Sequence, residues 1–168
     1  ANIGYNTLMF SDYGPVFSFE PVFFEIANMN LKSNELKHKV SMYPCALSDT
    51  VGETVEMYLP KSVENGVINY GGTTMFPNEH HDMNSKITAI TDTLDNVYKG
   101  TPSIIKMDVE GAEMNVLRGS IGILKKYKPV LLIEIGDYKN SKIPDFLRDE
   151  AGYTSIPESR PEFMYLYV

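Results

Sequence analysis

Two periods alternate along this chain. Short apolar runs recur between stretches whose apolar positions fall three or four apart, the first reading as strand and the second as amphipathic helix. Thr7–Phe10 reads as the opening turns of a helix and Val16–Phe19 as a strand. Phe23, Phe24, Ala27 and Leu31 form the apolar face of a helix whose first position suits Pro21, with both phenylalanines expected in the core. Val40–Leu47 predicts one strand with a bulge or an edge position at Pro44. Val55, Met57 and Leu59 alternate with polar residues, the pattern of a half-exposed antiparallel strand. Ile87–Ile90 predicts a further strand. Thr91–Tyr98 predicts a short helix capped by Asp92 or Thr93, with Asp95 serving its first turn. Val130–Ile135 is almost wholly apolar, as a strand buried on both faces would be. Pro144–Ala151 predicts a short helix closed by Gly152, and Phe163–Val168 a last strand.

The centre of the pattern is Ile104–Gly119. An apolar run ends in Met107, Asp108, Val109, Glu110 and Gly111, after which Ala112, Val116 and Gly119 take helical spacing. Gly119 ends that helix, Ser120 starts another running to about Tyr127, and Pro129 stops it. Strand, acid, glycine turn and helix make the repeating unit of an open α/β sheet, where ligands sit beyond the carboxyl ends of strands. Asp108 and Glu110 lie at such an end and are the candidate catalytic acids. Glu134 interrupts the apolar run near its carboxyl end, and a buried acid there needs a partner or a place at a ligand cleft.

Candidate binding chemistry lies at the start of the chain. Asn2 and Gly4 read as a tight turn before a helix, where glycine permits positive φ and close approach of a ligand to the backbone. Glu20 ends the following strand, 16 residues after Gly4. An acid so placed can hold the two vicinal hydroxyls of a ribose, or simply cap the next helix, and both readings stand. Lys61–Lys86 is the least regular stretch, with turns at Asn65-Gly66 and Gly71-Gly72, and is expected to contact substrate. It carries His80, His81 and Asp82, but no further ligands at metal-binding spacing, so no metal site is expected. His81 is a remote candidate for a base.

The remaining totals narrow the classes. At 168 residues the chain fits one domain, 1–168, long enough to bury roughly 70% of its unfolded surface. The net charge of −7 argues against a nucleic-acid partner. Lys125, Lys126 and Lys128 read as the positive end of a helix. A single cysteine, Cys45, excludes an internal disulfide and reads as core filler. No apolar stretch reaches membrane-spanning length and no signal peptide is visible, so a cytoplasmic protein is expected.

Taken in order, ANIGY, FSFEP, CALSD, TLD, IIKMDVEGAE and PVLLIEI resemble the FkbM family of S-adenosylmethionine-dependent methyltransferases, from Ala1 to about Gly152. The resemblance implies an α/β, Rossmann-like class I methyltransferase fold: a mostly parallel twisted sheet with helices on both faces and an antiparallel C-terminal edge. It implies S-adenosyl-L-methionine as cofactor. Asn2 and Gly4 would approach its methionine part, Glu20 its ribose, and Ala46 and Leu47 its adenine. Asp108 and Glu110 would face the methyl group and an acceptor, a hydroxyl on a sugar or small metabolite. The family's usual strand, acid and first glycine precede the place where Ala1 stands, so a chain lacking its first strand is expected. The competing classes are a nucleotide-binding α/β domain of another kind, such as an oxidoreductase, and a non-catalytic truncated domain. The first is weakened by the absence of a full G-x-G-x-x-G.

Overall fold

Pairing and burial build two separate cores from this pattern. The structure, a computed structural model, describes residues 1–61, 69–154, 158–159 and 164–168. In chain order the elements are α1 (Tyr5–Phe10), β1 (Val16–Phe19), α2 (Phe24–Lys32), β2 (Val40–Tyr43), β3 (Ala46–Leu47), β4 (Thr54–Pro60) and β5 (His81–Asp92). There follow α3 (Leu94–Val97), β6 (Ile104–Met107), α4 (Glu113–Arg118), α5 (Ile121–Tyr127), β7 (Val130–Glu134), α6 (Ile143–Asp149), β8 (Glu158–Ser159) and β9 (Met164–Tyr167). They form two compact units, Ala1–Ala46 with Gly52–Thr91, and Leu47–Val51 with Asp92–Val168. Asn65, Gly66 and Phe163 lie outside the described residues. Among the described residues no helix is long and apolar enough to cross a membrane.

In the first unit β1 and β2 pair in parallel, from Val16 opposite Val40 to Phe19 opposite Tyr43. The Tyr43 ring stacks on Phe19 with centroids 5.2 Å apart. A second sheet runs in the order β3-β5-β4, with β4 and β5 antiparallel as the alternation of Val55, Met57 and Leu59 predicts. Its core is Ala46, Met57 and Ala89. Val40–Leu47 is therefore not one strand. Pro44 has no N–H to donate and ends the ladder; β2 joins β1, while β3 joins β5. Strand β5 begins at His81, well before Ile87, and His81 pairs with Pro60 across a register shift. Its early half carries polar side chains, because the ladder is held by backbone groups and needs no apolar pattern. Helix α2 begins at Phe24 rather than at Pro21. Phe23 and Phe24 are half-buried instead of core, and the Phe23 ring meets Tyr70 edge-on at 5.8 Å.

In the second unit a four-stranded sheet runs β6-β7-β9-β8. The β6–β7 pair is parallel and the remaining pairs are antiparallel, giving the expected antiparallel C-terminal edge of a mixed α/β fold. Leu117, Leu131, Ile133 and Leu147 are fully buried at its centre. Burial alternates along β7: Leu131 and Ile133 are enclosed, while Val130, Leu132 and Glu134 are half-buried within this unit. Thr93 caps α3 through its side chain, which accepts from the Asn96 N–H at 3.2 Å. Asp95 lies in the first turn of α3 as expected, but its side-chain hydrogen bonds go to another helix. Its carboxylate accepts the Gly122 and Ile123 N–H groups at 2.8 and 2.9 Å, satisfying the open first turn of α5.

Gly119 ends α4, but with φ −71° rather than a left-handed turn. Close approach explains the glycine: a Cβ there would stand 1.9 Å from the Ser48 carbonyl oxygen. Backbone on backbone cannot relax as a flexible side chain can. Gly119→Ala is expected to destabilise the fold by about 3 kcal/mol, lowering Tm by roughly 6–12 °C in a domain of this size, as read by thermal melting.

Candidate active site

The second unit places three ionisable side chains at one end of its parallel strand pair. Met107 lies opposite Ile133 in the β6–β7 register, so Asp108 and Glu134 are the next residues on neighbouring strands. Lys106, two residues before Asp108, donates from Nζ to Asp108 Oδ2 at 2.9 Å. The chain then turns through Glu110 (φ 50°) and Gly111 (φ 97°) into α4. The Gly111 N–H is held by Glu113 Oε1 at 3.0 Å.

These residues open onto a cavity of about 520 Å³ lined by Asp108, Glu110, Glu113, Met114, Glu134, Asp137 and Lys142, among others. Five of those side chains are carboxylic acids, so the cavity repels anions and suits a neutral polar or cationic guest. Glu134 is pushed up to about 7, first by burial, then by the negative charges of Asp108 and Glu110 and a hydrogen bond with Asp108, with Lys106 opposing. A carboxyl that gains and loses its proton near neutrality can serve acid–base chemistry at physiological pH. The structure thus gives Glu134 the partner its sequence position demands, and adds Lys106, Asp137 and Lys142 around the expected Asp108 and Glu110. The acid breaking the apolar run of β7 was the one signal that could have placed Glu134 in the site.

The first unit holds the other candidates. Asn2 (φ 52°) and Gly4 (φ 90°) turn the chain into α1, closed by Gly4 N–H to Ala1 O at 3.0 Å. A Cβ on Gly4 would fall 3.3 Å from the Ala27 carbonyl, so this turn also packs tightly on α2. Glu20 is buried, and both of its oxygens are engaged. Oε2 accepts the Asn2 N–H at 2.6 Å and the Ala1 amine at 3.2 Å; Oε1 accepts the Val22 and Phe23 N–H groups, each at 2.9 Å. Glu20 therefore ties the Asn2–Gly4 turn to the entrance of α2. Ala46 is enclosed with Met57 and Ala89, and Leu47 packs in the core of the second unit.

Both ring nitrogens of His81 are engaged within its own loop. Its Nε2 is 2.9 Å from the Gly72 carbonyl, which can only accept, so that nitrogen carries the proton. Its Nδ1 is engaged by Asn78, 2.9 Å from the side-chain Oδ1 and 3.2 Å from the backbone N–H. His81 fastens its loop. Among the described residues no group of three or more His, Cys, Asp or Glu side chains is arranged to hold a metal.

The raised Glu134 sets a pH dependence with a definite sign. Between its ordinary value of 4.5 and about 7 the folded chain keeps a proton that the unfolded chain has lost. Stability therefore falls as pH rises through that window. Glu134→Gln keeps a hydrogen-bond donor towards Asp108 and removes the titration. Its Tm relative to the unsubstituted chain is expected to increase by about 2–4 °C from pH 4.5 to pH 7.5, the scale of 1 kcal/mol in such a domain.

Residues 1–155 match the family described as the Methyltransferase FkbM domain. Among solved structures the chain is similar to the crystal structure of Methyltransferase FkbM from Methylobacillus flagellatus KT, with 16% identity and a TM-score of 0.57. The likeness covers 91% of this chain but 36% of that one, so this chain spans about a third of its neighbour's length. No curated protein matches. With nearly its whole length matched, the chain belongs to the FkbM methyltransferase family.

Proposed function

We infer that residues 1–168 work as one methyltransferase domain that uses S-adenosyl-L-methionine to methylate a hydroxyl on a sugar or small metabolite in the cytoplasm. Besides family membership, the carrying observation is the cavity at the ends of β6 and β7, where Asp108, paired with Lys106, stands beside Glu134, whose carboxyl is pushed up to about 7. The cofactor, when bound, supplies an already activated methyl group on a sulfonium. The chain's own residues need only align the acceptor and manage its proton. Asp108 and Glu110 are the acids proposed to orient the acceptor hydroxyl.

The residues at the start of the chain fit such a cofactor in kind. A positive-φ backbone turn at Asn2 and Gly4 stands beside a buried carboxylate at the carboxyl end of β1. Each Glu20 oxygen already accepts two donors, Val22 and Phe23 on Oε1 and Asn2 and the Ala1 amine on Oε2, so a ribose hydroxyl would share the carboxylate with them. Ala46 is enclosed, so its backbone is the part available to an adenine; Leu47 follows it at the strand end.

Calorimetric titration with S-adenosylmethionine, with NAD as control, tests this. Selective binding of S-adenosylmethionine is expected, weakened at least tenfold in Glu20→Ala at a temperature where circular dichroism shows that variant folded. Equal affinity for both ligands, or undiminished binding by the folded variant, would overturn the assignment of Glu20.

A further inference from the structure

Asp108 and Glu134 stand one residue beyond the Met107–Ile133 pair, at matching places on adjacent parallel strands, and both line the cavity. The Asp108 carboxyl is one of the groups that push Glu134 up. Two carboxylates so placed do not readily ionise together, and Glu134 is the one pushed up, to about 7. A third side chain decides which of them carries the proton. Lys106 Nζ lies 2.9 Å from Asp108 Oδ2 and favours the ionised form there. Glu110 adds negative charge on the Glu134 side. The charged groups facing Glu134 are thus Asp108 and Glu110, which hold the proton on, and Lys106, which opposes them. Glu113, Asp137 and Lys142 complete the charged lining, and the residue opposite Glu134 on β9 is the uncharged Met164.

We propose that Glu134 is the proton-accepting group of this cavity, and that Lys106 is a positioning residue which, acting through Asp108, keeps the exchangeable proton on Glu134. The use of this device rests on the methyl-transfer reading above. In that use the acceptor's O–H proton passes to the Glu134 carboxylate as the new O–C bond forms. The donor's C–S bond breaks and its electron pair stays on sulfur. One positive and one negative charge disappear together, so the step leaves the net charge of the site unchanged. Asp108, paired with Lys106, orients the hydroxyl and is not its base.

The experiment is a carboxyl-carbon NMR titration of the chain labelled at Asp and Glu side chains. It is run on the unsubstituted chain and on Glu134→Gln, Asp108→Asn, Lys106→Met and Lys106→Arg, each checked for a native amide spectrum. One carboxyl is expected to titrate near pH 7. Its signal should vanish in Glu134→Gln and its midpoint should fall in Asp108→Asn. Lys106→Met should raise the midpoint by about 1 unit and spread the titration onto Asp108, and Lys106→Arg should restore the original pattern. A lysine that merely packs would leave the carboxyl carbons unmoved. A neutral-range midpoint belonging to Asp108, or none between about pH 6 and 8, would overturn the inference. Titrating the same samples with S-adenosylmethionine separates the two readings. Absence of binding with the pattern intact would remove the proposed use and leave the proton's place standing. Binding without the neutral titration would overturn the inference and spare the cofactor assignment.

Discussion

Met107 opposite Ile133 is the constraint on which the candidate site depends. In a strand pair, successive side chains point to opposite faces, and a slip of one residue would reverse every one of them. Met107 and Ile133 are both buried, so the register is anchored by apolar burial that a slip would forfeit. With those two fixed, Asp108 and Glu134 have no choice but to be neighbours. Their mutual repulsion is tolerated because the strands are locked by the residues just before them. Lys106, two positions back on β6, shares the face of Asp108 and reaches it.

The same logic works in the first unit through a single carboxylate. Glu20 closes β1 and binds four N–H groups from two segments, the start of the chain and the entrance of α2. A buried carboxylate with that many donors is fixed in place, and it fixes them in return. The two oxygens of one side chain hold different segments: Oε1 serves the helix, and Oε2 serves the turn that carries Asn2. Asp95 shows the same economy in the second unit, where an acid on one short helix satisfies the open amides of another. Neither α3 nor α5 is long enough to stand by propensity, and such cross-helix bonds join tertiary packing in holding them.

The strength of the sequence pattern decided which elements were legible. Val16–Phe19 and the antiparallel β4 appear where the runs predicted, because a bounded apolar run or a clean alternation has few other solutions. The family was legible too, since an ordered series of strand-end motifs spans most of the chain. Pro44 was read as a bulge within one strand, yet it divides two sheets, because proline's missing donor has the same local signature in both cases. Asp95 was assigned to its own helix because a partner 27 residues away leaves no mark on local spacing.

The sequence by itself determined the alternation of strands and helices, the family, and the acids placed at strand ends, because periodicity and short turn motifs are local properties of the chain. Only the tertiary structure decided that Glu134 stands beside Asp108, that Gly119 makes room for the Ser48 carbonyl, and that His81 is spent on Gly72 and Asn78. Each of these is a contact between segments distant in sequence or on neighbouring strands. Its energy depends on distance, desolvation and hydrogen-bond direction, and those quantities come into being when the backbone takes up its register and the side chains lose their water.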